Sequence, residues 1–197
     1  GADVDIDDFC DRYIEFLKEN WENISYYVEL DVEEEYGMDK VLELRERMEE
    51  ELPKPPIVVW HRGRGTEGWK EMCKNYDYVG FSGFVTKDGD PEVPDEYIPW
   101  FLKVAREHDT KVHGFGLTKP SKLKMYDFYS ADSTSWLSGQ KFGTYYDFQQ
   151  GDLRSISKDA FIEKYGKRFN DLDYKDLNYW NIEQWKKFHK FLEGRRE

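Results

Sequence analysis

Short β-branched and aromatic runs recur along this chain, each separated from the next by a segment with helical spacing, and few folds accommodate that order. Strand candidates stand at 24–31 (ISYYVELD), 57–61 (IVVWH), 77–84 (DYVGFSGF), 111–117 (KVHGFGL), 126–131 (YDFYSA) and 142–148 (FGTYYDF). Helical spacing fills the intervals. Residues 5–20 place Ile6, Phe9, Tyr13, Phe16 and Leu17 on one face, with aspartates in the first turn where the helix dipole favours them. Residues 37–52 do the same with Met38, Val41, Leu42, Leu44 and Met48, and prolines at 53, 55 and 56 stop that helix. Further helical segments are predicted at 66–75, 95–108, 119–125, 158–166 and 181–193, the last with Trp185, Phe188, Phe191 and Leu192 on an apolar stripe. Strands spaced by helices imply βαβ units and a parallel sheet.

The fold class is therefore α/β. Polar strand ends suggest a (β/α)-barrel, TIM-like; an open doubly wound sheet is the alternative, and periodicity does not separate the two. Six strands fall short of the eight that close such a barrel, and the chain opens in a helical pattern. The expectation is a barrel incomplete at its N-terminus by one or two βα units, the C-terminal portion of a longer protein. The sequence reads as a single domain over 1–197, with 158–197 as a helical C-terminal extension.

A chain of 197 residues can build one sizeable core, and an aromatic content of 17% excludes disorder despite a mean hydropathy of -0.89. No apolar run approaches the roughly 20 residues of a membrane-spanning helix, and no signal peptide is visible, so the expectation is a cytoplasmic protein with no membrane partner. Two cysteines, Cys10 and Cys73, supply neither a disulfide framework nor a four-thiolate zinc site. The net charge of -12 hides an asymmetry. Residues 1–98 hold 11 Lys/Arg against 27 Asp/Glu, whereas residues 99–197 hold 18 against 14. The second half is thus net basic and compatible with a confined, salt-sensitive contact to nucleic acid.

Chemistry-bearing residues gather where the predicted strands end. Asp31 closes the first. Trp60, His61, Arg62 and Gly63 close the second; Ser82 and Gly83 the third; His113, Gly114, Phe115 and Gly116 the fourth; Asp132 and Ser133 follow the fifth. In a parallel α/β fold those ends form one layer. Each residue also has a structural reading: Asp31 and Asp132 as caps, His61 and His113 as packed or rim histidines, and the glycines as turn residues. His61 and His113 with Asp31 or Asp132 are a poor metal set, because no H-x-H or H-E-x-x-H pair is present. No Walker motif, G-x-G-x-x-G fingerprint or G-x-S-x-G elbow occurs.

Taken in order, VELD (28–31), VVWH (58–61), VGFSGF (79–84), VHGFGLT (112–118) and YSADSTSW (129–136) resemble the tRNA-guanine transglycosylase superfamily. The likeness is greatest to the short, often phage-encoded members related to DNA 7-deazaguanine transglycosylases. It covers about residues 5–150, and the HGFG-to-ADSTSW stretch is its most specific part. The resemblance implies a (β/α)-barrel that exchanges guanine in a nucleic acid for a 7-deazaguanine base through a covalent glycosyl–enzyme intermediate. It implies that Asp132 is the nucleophile and that Asp31 accepts hydrogen bonds from the base. His61 stands where the family has a glutamine donating to the base, Gly83 matches a glycine whose backbone contacts it, and His113 stands where a side chain meets its flat face.

Two departures accompany the likeness. The family's other catalytic carboxylate, in an aspartate–serine–glycine motif, does not precede Asp31 here. The zinc-binding region of the tRNA enzymes, with three cysteines and a histidine, is absent, so no cofactor and no zinc are expected and the polymer partner tilts toward DNA. Lys119, Lys122 and Lys124, just ahead of Asp132, are candidate phosphate contacts. Tyr126, Phe128, Tyr129, Trp136, Tyr145 and Tyr146 are aromatic residues that stack on bases or fill the core. The alternatives to base exchange are a glycosidase that only removes a base, and a catalytically silent barrel that binds nucleic acid or protein.

Overall fold

A computed structural model describes residues 5–82, 93–117, 119–132, 143–166 and 173–195. The chain divides into two compact units, Gly1–Phe115 with Phe128–Ser130, and Gly116–Asp127 with Ala131–Glu197.

The first unit opens with α1 (Ile6–Glu19), whose start is fixed by the Asp5 carboxylate accepting from the amides of Asp7 and Asp8. After the short α2 (Glu33–Tyr36) comes α3 (Met38–Glu51). Cys10, Ile14 and Leu17 of α1 meet Leu44 and Met48 of α3, joined by Tyr27 and Leu52, in one buried cluster. Each such side chain contributes roughly 1.5–3 kcal/mol by leaving water. Then follow β1 (Val58–Trp60), α4 (Gly65–Asn75), β2 (Tyr78–Ser82), α5 (Ile98–Glu107) and β3 (Lys111–Phe115). With β4 (Ser130–Ala131), which follows α6 (Pro120–Met125), they give a four-stranded parallel sheet in the order β1-β2-β3-β4. The register pairs Val59 with Gly80 and Gly80 with His113. Behind it Trp60, Trp69, Phe81, Phe101 and Phe128 pack mostly edge to face. The Trp69 indole N–H donates to the Phe101 carbonyl at 3.0 Å, so this wholly buried ring keeps its one polar atom paired.

The expected strand over 24–31 is not a strand. Trp21–Asn23 form a single 3-10 turn, and only Val28 bridges, in parallel, to Ile57. The Val59 amide, which the next step of that ladder would use, donates instead to the Glu29 side chain, so the pairing stops at one bridge. The sheet is the parallel α/β layer expected.

In the second unit, β5 (Tyr145–Gln149) matches the strand predicted at 142–148 where it is described, but it does not extend the parallel sheet. It pairs antiparallel with β6 (Asp152–Ile156), through a two-residue turn in which Gln150 and Gly151 both have positive φ. A Cβ on Gly151 would come within 2.5 Å of the Phe191 ring, so close approach as well as backbone conformation requires glycine there. α7 (Lys158–Tyr165) and α8 (Tyr174–Glu193) complete the unit, with Tyr145, Phe161 and Leu177 as its buried cluster. Along α8, Asn181 and Gln184 point into the hairpin. Their side-chain oxygens accept from the amides of Tyr146 and Phe148, and the Asn181 amide donates to the Thr144 carbonyl. Among the described residues no helix is long and apolar enough to cross a membrane.

Candidate functional site

The parallel bridge between Val28 and Ile57 decides what happens three and four residues later. Both segments leave the sheet at the same end, which sets Asp31 beside His61. Asp31 Oδ1 lies 2.7 Å from His61 Nε2, with 46% and 27% of the two side chains exposed. A carboxylate so placed orients the imidazole and gives the pair one accepting and one donating group. Arg64, in the 3-10 turn after His61, reaches back to Glu33 with both Nε and Nη2, at 2.9 and 2.8 Å from one carboxylate oxygen. This contact ties the loop after β1 to α2, which follows Asp31.

Beneath the pair lies a buried ionic contact that the sequence analysis did not single out. Glu29 accepts from the Val59 amide on one oxygen and from Arg45 Nε on the other, each at 2.6 Å. The linear pattern carries no signal for it: Val28 and Leu30 are the apolar positions of the segment, yet Tyr27 and Glu29 are the ones buried, and Arg45 lies on the buried face of its helix. Between α3 and α4 there is also a groove of about 740 Å³, lined by Met38, Leu42, Arg45, Arg64, Met72 and Tyr76 among others. None of Asp31, His61, His113 and Asp132 lines it.

His113 sits mid-strand in β3 and is only 9% exposed. Its Nδ1 is hydrogen-bonded to the Ser130 hydroxyl, which also meets the Tyr78 hydroxyl, and its ring lies 4.3 Å from that of Phe115 at 63°. The imidazole is thus a packed, hydrogen-bonded member of the sheet. Gly83 lies outside the described residues, as does Trp136.

In the second unit Asp132 follows β4 and is exposed. Its Oδ1 accepts from the Gly116 amide at 2.8 Å. Gly116 ends the HGFG run with a φ of +63°, a conformation natural to glycine, and that turn aims its N–H at the carboxylate. One oxygen of Asp132 is therefore anchored by backbone. Lys119 and Lys122 lie just before and within α6, Lys119 exposed and Lys122 half-buried. The Lys124 ammonium is 2.8 Å from Asp152 Oδ1, and the Asp152 carboxylate also pairs with Arg154. Lys124, first, and Arg154 hold that carboxyl below its usual range. Among the described residues no three His, Cys, Asp or Glu side chains are grouped to hold a metal ion.

Comparison of the chain with family models, with curated proteins and with solved structures found no match.

Proposed function

We propose that the protein is a base-exchange glycosyltransferase acting on nucleic acid, with Asp132 as nucleophile, and that its parallel sheet is part of a (β/α)-barrel. The observation that carries this reading is the state of Asp132: an exposed carboxylate after a short strand, with one oxygen anchored by a backbone amide. Covalent exchange at a sugar carbon asks for a carboxylate held in a fixed direction. In the first step a carboxylate oxygen of Asp132 forms a bond to C1′ while the C1′–N9 bond to guanine breaks, and guanine leaves with the bonding pair and gains a proton. In the second step N9 of the incoming 7-deazaguanine base forms the new bond, loses its proton, and displaces the carboxylate.

The Asp31–His61 pair supports the recognition half of the reaction. Guanine and its 7-deaza relatives present adjacent N–H donors and a carbonyl acceptor, and a carboxylate beside an imidazole offers the converse groups. Lys119, Lys122 and Lys124 are the proposed phosphate contacts, the last already paired with Asp152. DNA is the proposed polymer. Cys10 and Cys73, both buried free thiols, suit a reducing cytoplasm.

The test is to incubate the protein with DNA, and in parallel with tRNA, and a radiolabelled 7-deazaguanine base. Label is expected in DNA, and Asp132→Asn is expected to reduce incorporation below detection. Absence of label in both polymers, or undiminished labelling by Asp132→Asn, refutes the proposal. Release of free guanine without incorporation replaces exchange by hydrolysis.

A further inference from the structure

The starts of the parallel strands, at the end of the sheet away from Asp31 and His61, carry a second cluster, all of it in the first unit. Tyr26 precedes the bridge at Val28, Tyr78 and Lys111 open β2 and β3 in register with each other, and Tyr129 immediately precedes β4. The same parallel order that joins Asp31 to His61 gathers these four. Lys111 Nζ donates to the Tyr26 hydroxyl at 2.9 Å and stands 5.1 and 4.6 Å from the ring centroids of Tyr26 and Tyr129. The Tyr26 and Tyr129 hydroxyls are 3.4 Å apart. Both rings meet Tyr78 edge to face, at 4.9 and 5.3 Å, and Tyr78 is fixed from below through Ser130 and His113.

Two properties set this corner apart. Its outer rings are only half covered, Tyr26 being 44% and Tyr129 50% exposed. Lys111 has no carboxylate within ion-pair distance among the described residues. Its ammonium has three protons and donates one to Tyr26, and of the two phenol protons one lies between the hydroxyls while the other adds a donor within the same few ångströms. The hydrogen bond from Lys111, followed by that with Tyr129, holds the Tyr26 phenol below its usual range, as expected where negative charge is favoured.

We propose that Tyr26, Lys111 and Tyr129 form a nucleotide-binding patch, with Lys111 and the two hydroxyls holding a phosphate and the exposed ring surface carrying the base. A cation and hydroxyl donors suit a phosphate oxygen, and stacking on tyrosine is worth about 1–3 kcal/mol per base in single-strand binding proteins. The patch lies at the strand starts and does not depend on exchange at Asp132.

Fluorescence anisotropy with a fluorescein-labelled oligothymidylate tests the assignment at low salt, with thymidine monophosphate as competitor. Saturable binding is expected. Lys111→Met should weaken it about tenfold and lower the salt dependence by about one phosphate contact. Tyr129→Leu should weaken it by a similar factor, and Tyr26→Phe, which keeps the ring, by less. Lys70→Met, which removes an exposed charge paired with Glu67, should leave it within about twofold. Displacement by the mononucleotide at matched nucleotide concentration assigns a free nucleotide as ligand, and failure to displace assigns a single strand; both uphold the patch. No saturable binding of either probe overturns it, as does equal weakening by Lys70→Met and Lys111→Met. Circular dichroism melts of each variant confirm folding, and base exchange has no part in the readout.

Discussion

Glu29 and Arg45 form an ion pair inside the first unit, with only 1% and 6% of their side chains exposed. The carboxylate also accepts from the Val59 amide, so it joins the segment leading to Asp31, the first strand of the sheet, and α3. Removing one member leaves a charge in an interior that cannot solvate it. Arg45→Met is expected to cost about 3–5 kcal/mol, measured by urea denaturation, and Glu29→Leu in the same chain is expected to restore part of that loss. A cost below about 1 kcal/mol for Arg45→Met would contradict the burial described.

Both cysteines are buried free thiols. Burial pushes the Cys73 thiol up to about 12 and raises that of Cys10, so neither is a thiolate near neutral pH. Ellman's reagent at pH 8 is expected to leave the native protein unmodified and to react with both thiols once guanidinium unfolds it. Rapid reaction of the native protein at Cys73 is the contrary result.

The Asp152 carboxyl, lowered from an ordinary value of 3.8 by Lys124 and then Arg154, links the second unit to pH. As pH falls, the unfolded chain takes up this proton before the folded one does. The stabilisation from the pair is therefore complete above the ordinary value and is lost as pH drops through the lower folded one. Thermal melts between pH 5 and 2 are expected to fall less steeply for Asp152→Asn than for the unaltered chain. Identical slopes would rule out the linkage.

Helical spacing made α1, α3, α4 and α5 legible, because each buries one regular face. Strand ends were legible as well, since Asp31 and His61 meet where parallel order requires. The segment 24–31 was misread because its aromatic and β-branched content suits a strand, whereas the Glu29 side chain takes the Val59 amide and leaves the pairing at one bridge. β6 escaped notice because its hairpin turns on Gln150-Gly151, without the Asn-Gly or Asp-Gly that commonly announces such a turn. Glu29, Asn181 and Gln184 were equally hidden. Polar residues in a linear pattern look solvated, and only tertiary packing shows that these three are buried partners of backbone amides.

The carboxamides of α8 have a consequence for assembly. A strand with bare outer amides invites another chain to add a strand of its own, the first step of polymerisation through β-structure. On β5 the amides of Tyr146 and Phe148 are already occupied by Asn181 and Gln184, and the Trp180 indole donates to the Tyr146 carbonyl. The helix plays the part of a third strand without being one, and along these residues it closes the β5 edge of the hairpin to growth.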